Sequence, residues 1–439
     1  MPERRVAITG LGVVTPAGAG MDALWEALLA GRSFTSKIAS FDAGAFPTDL
    51  GGYVENFSAR DYVPKSYRKS VKIMARDIEL AVGAASLAFA DAGIVTAAAG
   101  EGVATTIESG RLGCNIGAGL ICTDLDEIGV ALTTALDDDG KFSMAKWGAS
   151  GMNNLTPLWL LKYLPNMLAC HVTIVHGAKG PSNTITCGDA SAHLAVGEAT
   201  RLVARGGADA VIAGGAESKL NPMGLLRQSL LKRLCTTWRG DASGACRPFD
   251  RQHAGTVIGE GGGLLVIEEM EHAKARGARM YAEVVGFASS CDPNGIEVEK
   301  PSAGGLGQAV RAAMKDAGIT PQQVGLIVTH GTAVPGEDVC ETAEWRSVLG
   351  DLAGRIPAVA ISGSLGSLFA GAGGVELAVA ARALHTRCVP PTVNFSAAAP
   401  DCGLSLQSTA RSGDFEYAVS AAFSVGGQSG ACVLRRIEP

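Results

Sequence analysis

The side chains able to do chemistry gather in four segments of this 439-residue chain. GPSNTITCGDASAHLAVGEA, from Gly180, puts the thiol of Cys187 and the carboxylate of Asp189 two residues apart, where a short strand gives way to an Ala-rich helix. THGTAVPGEDVCETAE, from Thr329, offers the imidazole of His330 with the carboxylates of Asp338 and Glu341 behind it. GSLGSLFAGAGGVE, from Gly363, is a glycine-rich turn that follows Ser362, carries Ser367 and ends on Glu376. RPFDRQHAGTVIGEGGGLLVIEE, from Arg247, is the fourth. A thiol or a carboxylate beside an imidazole is the material of nucleophilic and general-base chemistry. A carboxylate at a helix start also has a purely structural use, because it accepts backbone N–H bonds and complements the helix dipole.

Other chemistries find less support. The 11 cysteines are odd in number, scattered and without a Cys-x-x-Cys pair, which fits reduced thiols in a cytoplasm better than a disulfide framework or a zinc site. The seven histidines form no ligand-spaced cluster, and His171 and His176, five apart, read as structural. No metal and no cofactor are expected. With 37 Lys+Arg against 43 Asp+Glu and a net charge of −6, the chain lacks the basic surface that a nucleic-acid partner requires. No apolar run reaches the roughly 18 to 20 residues of a membrane span. MPERRVAITGLGVV resembles a secretory leader only superficially: Gly10, Gly12 and Pro16 interrupt it, and RVAITG reads as a first buried strand.

The elements that must position these groups alternate along the whole length. RVAITG precedes DALWEALLAG, SAHLAVGEATRLVARGG precedes ADAVIAG, and GLGQAVRAAMKDAG precedes VGLIVTHG. Strand and helix alternating with Gly at the junctions predicts an α/β layered fold of parallel strands covered by helices on both faces. No Pro/Ser-rich linker or charge run divides the chain, so two halves would be packed together rather than tethered. The polar excursion DDDGKFSMAKWGASGMNNLTP, over 137–157, reads either as a cap over a site or as a solvated insertion.

Together with the opening RVAITGLGVVTPAG and the closing FSVGGQSGACVLRR, the four segments make the chain resemble the β-ketoacyl-ACP synthases of fatty-acid and polyketide biosynthesis, the elongating synthase II type above all, over essentially its full length. The resemblance implies a thiolase-like fold: two similar halves, about 1–260 and 261–439, in a five-layered α-β-α-β-α core, dimerised. It also implies acyl carrier protein and acyl thioesters as partners. In this family a cysteine at the start of a buried helix is the nucleophile, favoured as thiolate by the dipole. Two histidines, one in an HGT motif and one in a Gly-His turn, hold the malonyl thioester and promote decarboxylation.

Carried over residue by residue, the motif is damaged. The family's cysteine lies nine residues after the Gly of Gly-Pro-Ser and 28 before the Glu of Gly-Gly-Ala-Glu; counted from Gly180 and from Glu217, both anchors land on Asp189. Cys187 stands two positions early, as an alternative nucleophile if the turn is rearranged. His330 keeps the first histidine, with Asp338 and Glu341 at their usual spacing. Ser367 replaces the second, and Ser362 replaces the family's lysine, which leaves Glu376 without its usual cation. In the gating loop Phe423 remains, but Val425 stands where the family has an aromatic residue, and a β-branched gate is smaller and stiffer. A carboxylate would hold an acyl group only as a short-lived mixed anhydride. Loss of one of two enolate donors is worth about 3 kcal/mol.

Three readings follow. The first is a condensation-deficient homologue resembling a chain-length factor that partners an active ketosynthase, with a homodimer and a heterodimer with that ketosynthase both open. The second is an enzyme of altered chemistry, in which Asp189 acts beside His330 in hydrolysis, acyl transfer or dehydration of a carrier-bound chain. The third is an ordinary synthase using Cys187. Carrier docking is expected at two basic clusters, Lys65, Arg68, Lys69 and Lys72 in one, Arg227, Lys232 and Arg233 in the other, with Lys232 and Arg233 the focus.

Overall fold

In the computed structural model, which describes residues 4–238, 240–294 and 304–438, the first strand is β1 (Val6–Thr15), buried along its whole length. Apart from Thr9, whose hydroxyl donates to Glu268 Oε2, and the terminal Thr15, the strand is apolar and glycine, which suits burial on both faces, where no alternation is needed. Helix α1 (Arg76–Asp91) lies directly on it. Gly10 and Gly12 permit that approach, since a Cβ at either would stand 2.3 Å from Ala88 O or 2.0 Å from Ala84 O. The first half continues with β2 (Leu112–Ala118), α2 (Met167–His176), β3 (Ser182–Ile185), α3 (Ser191–Ala204), β4 (Ala210–Ser218), α4 (Pro222–Leu230) and β5 (Ile258–Glu269).

The second half contains β6 (Ala282–Cys291), α5 (Gly305–Asp316), β7 (Val324–Val328), α6 (Pro335–Leu349), β8 (Pro357–Val359), α7 (Ala372–Thr386), β9 (Ser405–Leu406), β10 (Tyr417–Phe423) and β11 (Gln428–Arg436). Hydrogen bonding runs β9-β8-β7-β10-β11-β6-β1-β5-β4-β2-β3. The halves join through a short β1–β6 pairing at Ala7 and Ile8.

The two halves share one topology. In the first, β3, β2 and β4 are parallel and β4, β5 and β1 antiparallel; in the second, β8, β7 and β10 are parallel and β10, β11 and β6 antiparallel. The all-parallel expectation is therefore corrected to a mixed sheet. A parallel pair needs a long crossover, whereas the turn between Phe423 and Gln428 is short and permits only an antiparallel return. Position 260 lies inside β5.

Helices α3 and α7 are sandwiched between the halves and touch strands of both. Their composition allows it: small residues and Leu or Val bury nearly the whole circumference of α7 and most of α3. With α1 and α2 packed outside one half and α5 and α6 outside the other, the layers are α-β-α-β-α, the thiolase-like architecture. The excursion over 137–157 is part helical and part irregular. It holds a helix at Met144–Ala149, capped by Ser143, which follows one at Leu125–Thr134, capped by Asp124. Its apolar side chains Met144 and Met152 are exposed, as is Val130 on the preceding helix. No helix among the described residues is long and apolar enough to cross a membrane.

Candidate active site

Asp189 arrives on a single turn, Gly188–Ala190, at the start of buried helix α3. Gly188 has φ +56, and a Cβ there would stand 2.9 Å from Ser424 Cβ, so glycine is needed for both conformation and contact. Asp189 does not cap the helix, and the turn is tied instead by Ser191, whose Oγ accepts from Cys187 N at 2.8 Å and donates to Gly188 O at 2.6 Å. The Asp189 carboxylate turns inward instead. Its Oδ2 lies 3.3 Å from His330 Nε2 and accepts from Arg233 Nη2 at 3.4 Å.

His330 hangs from the loop after β7, and the carboxylates behind it explain their spacing. Glu341, on α6, accepts from His330 N at 2.9 Å, Gly331 N at 2.8 Å and Trp345 Nε1 at 3.1 Å. Asp338 accepts from Ala333 N at 3.1 Å, Phe249 N at 2.7 Å and His253 Nδ1 at 3.0 Å. These bonds fix a loop containing Gly331 and Ala333, both at positive φ. The imidazole is thereby aimed between two carboxylates, with Nδ1 at 3.1 Å from Glu376 Oε1 on α7. Glu376 thus has a cationic neighbour after all, though not at position 362.

Arg233 requires a correction. Expected on the surface as a carrier contact, it is 2% exposed and points into the site. Its Nε and Nη2 donate to Glu337 Oε1 and Oε2 at 2.7 and 3.0 Å, and its Nη1 donates to Gln228 Oε1 at 3.1 Å. A guanidinium that far from water needs this forked, fully partnered arrangement. Lys232, its neighbour, is exposed, with φ +55 reversing the chain direction between the two. Lys65, Arg68, Lys69 and Lys72 are exposed as well.

The result is a buried row of alternating charge: Glu337, Arg233, Asp189, His330, Glu376. Burial alone would lower the His330 pKa, but hydrogen bonds and charge from Asp189 and Glu376 raise it well above 6.5. Burial would raise that of Asp189, yet His330 and Arg233 bring it below its ordinary 3.8. Both are held charged. Glu376 is raised by burial, against which His330 works. An imidazolium can donate a hydrogen bond and cannot accept a proton, so the pair as it stands is not a general base.

Ser362, Ser367 and Glu376 share one small pocket with His330. The Ser362 hydroxyl donates to Gly331 O, and Ser367 is buried, with its backbone N and O bonded to Val257 O and Gly259 N. Phe423 sets its ring edge against His330, centroids 5.4 Å apart at 76°. Val425 is half-buried in the turn beyond. Cys187 is outside this group. Strand β3 ends at Ile185, so Cys187 stands in the turn rather than in the strand, half-buried, and burial together with neighbouring Cys291 pushes its thiol pKa up. Two members of the row are missed as such by the sequence: Arg233 is expected only as a surface contact, and Glu337 looks like an ordinary charged residue.

A thiolase-like double fold with a helix-start residue facing an HGT histidine defines a condensing-enzyme architecture. The chain belongs to the β-ketoacyl synthase family: residues 3–273 match its N-terminal domain and residues 281–396 its C-terminal domain. It is 34% identical over 441 residues to 3-oxoacyl-(acyl-carrier-protein) synthase 2 of Vibrio harveyi, covering 100% of both chains. Among solved structures it is similar to the ishigamide ketosynthase/chain length factor, with TM-score 0.84 and 26% identity over 99% of this chain and 100% of that one. It is also similar to a type II polyketide synthase acyl-carrier protein complex with its ketosynthase bound to the hexaketide, with TM-score 0.83 and 26% identity over 99% and 100%.

Proposed function

We propose that this β-ketoacyl synthase homologue is deficient in condensation and acts as a chain-length-factor-like partner of an active ketosynthase, in the cytoplasm, beside carrier-bound acyl thioesters. The observation that carries this reading is the state of Asp189: a carboxylate stands in the nucleophile position and is already the counter-ion of both His330 and Arg233. Such a carboxylate is a weak nucleophile, and an acyl group on it would take from Arg233 and His330 the anion they share, leaving each with one buried carboxylate, Glu337 and Glu376 respectively. Ser367 adds to this, because a neutral hydroxyl replaces a second imidazole where enolate charge would develop. The likeness to a ketosynthase/chain length factor supports the pairing, and the likeness to a carrier complex supports the carrier. Incubation with acyl-carrier protein, alone and with candidate ketosynthases, followed by intact-protein mass measurement, tests it.

One observation favours the altered-chemistry reading: His330 is kept beside Asp189, with its Nδ1 anchored on Glu376, which a purely structural subunit does not require. Turnover of an acyl-carrier thioester by the isolated chain, abolished in His330→Ala, would select that reading. The Cys187 reading has the weakest support, since its thiol is raised rather than activated and lies outside the buried row.

A further inference from the structure

The buried row does not stop at Glu376. Its Oε1 meets His330, but Oε2 has no hydrogen bond among the described residues, although the side chain is 1% exposed. A carboxylate oxygen that deep ordinarily has a donor. The nearest candidate is His193 on α3, whose Nε2 stands 4.0 Å from Oε2 and 2.8 Å from Ser420 Oγ on β10. His193 is itself fully buried, and its Nδ1 also lacks a partner among the described residues. The ring has been given room on purpose of fit: Gly373, one turn before Glu376 on α7, would bring a Cβ within 2.4 Å of Nδ1.

We propose that His193 is a positioning residue for His330: with its Nε2–H held on Ser420 Oγ at 2.8 Å, the ring sets its positive edge 4.0 Å from Glu376 Oε2, favours that carboxylate's ionised form, and thereby keeps His330 an imidazolium. Two tautomers are open to a neutral imidazole. With the proton on Nε2, the ring presents a positive edge to Glu376 and donates to Ser420 Oγ. With the proton on Nδ1, a lone pair faces the carboxylate across a low-dielectric gap, which is repulsive. The ring is neutral because burial, and then the charge on His330, lowers its pKa to about 3. The groups facing His330 are Asp189 from the turn before α3, Glu376 from α7, Glu341 from α6 through the backbone, and the Phe423 edge from β10, with Arg233 behind Asp189. None of them meets Glu376 Oε2, so His193 is the group placed to act there. This assignment concerns the charge of His330 and holds whether or not the chain partners a ketosynthase.

The test is nitrogen-15 NMR on full-length protein labelled at histidine, with resonances assigned by single substitutions. In the unmodified protein His193 should carry its proton on Nε2; the Nδ1 tautomer would overturn the proposal without any variant. In His193→Leu, the acid constant of His330 should rise about tenfold or more, while His193→Gln, which keeps a donor, should stay within about threefold of the original. Ser420→Ala removes only the competing acceptor and should leave His330 at least as basic. An unmoved His330 in the leucine variant, or a more acidic one in Ser420→Ala, would contradict the assignment. Acyl transfer is not read in this experiment, so its failure and that of the partner role are distinguishable.

Discussion

Asp189 Oδ2 lies 3.3 Å from His330 Nε2, and this contact turns two groups of a reaction centre into an ion pair. Each favours the charged form of the other in a site without water-like screening, and the proposed deficiency in condensation rests on that pairing. The predictions below depend on that contact and on Arg233 behind it.

Asp189→Cys should permit acylation without efficient condensation. The new thiol would face Arg233 and His330, both of which favour thiolate. With Ser367 unchanged, however, decarboxylation lacks a donor worth about 3 kcal/mol, a hundredfold or more in rate. Adding Ser367→His should recover part of the malonyl decarboxylation, measured as carbon dioxide release. Ordinary elongation rates from Asp189→Cys alone would show that the second imidazole is dispensable.

Arg233→Met should destabilise the fold by about 3 to 5 kcal/mol, because Glu337 would be left as a buried anion without its cation and Asp189 would keep only His330. Chemical denaturation gives the number directly. A loss below about 1 kcal/mol, the range of surface pairs, would mean that the row is not a structural unit.

Lys232→Glu combined with Lys65→Glu and Lys69→Glu should weaken binding of the acidic carrier at low salt and leave the melting temperature unchanged, since all three side chains are exposed. Arg233 is excluded from this set, because reversing it would strike the core. Carrier affinity that ignores both the substitutions and the salt would remove the docking surface.

Asp77 supplies a pH prediction away from the site. Burial, then the charge of Glu217, raises its pKa from 3.8 to about 7. The folded state therefore prefers the protonated carboxyl: the contribution is full below 3.8 and is lost as pH rises through about 7. Between about pH 4 and pH 8 the stability of Asp77→Asn should gain on the unmodified protein by roughly 2 to 4 kcal/mol. Parallel stability curves for the two proteins would refute the shift.

Much of this was legible in the sequence. Spacing from Gly180 and Glu217 identified Asp189, and the structure brings it to His330, with Glu376, Ser362 and Ser367 around the same imidazole. The layered double fold followed from strand-helix alternation and the motifs, although the antiparallel strands did not, because alternation is blind to the tight return between β10 and β11. Arg233 was misread for a clear reason. It sits beside exposed Lys232 in irregular backbone, where no period of 3.6 or 2 says which side chain turns inward. His193 was invisible because its partner atoms come from α7 and β10, far apart in the chain.

The most direct test of the account is the mass of the intact chain after incubation with acyl-carrier protein and an active ketosynthase. This chain should gain no acyl group, alone or in the mixture, and the thioester should appear only on the ketosynthase. An acyl adduct on this chain, mapped by peptide mass spectrometry to Cys187 or Asp189, would contradict it.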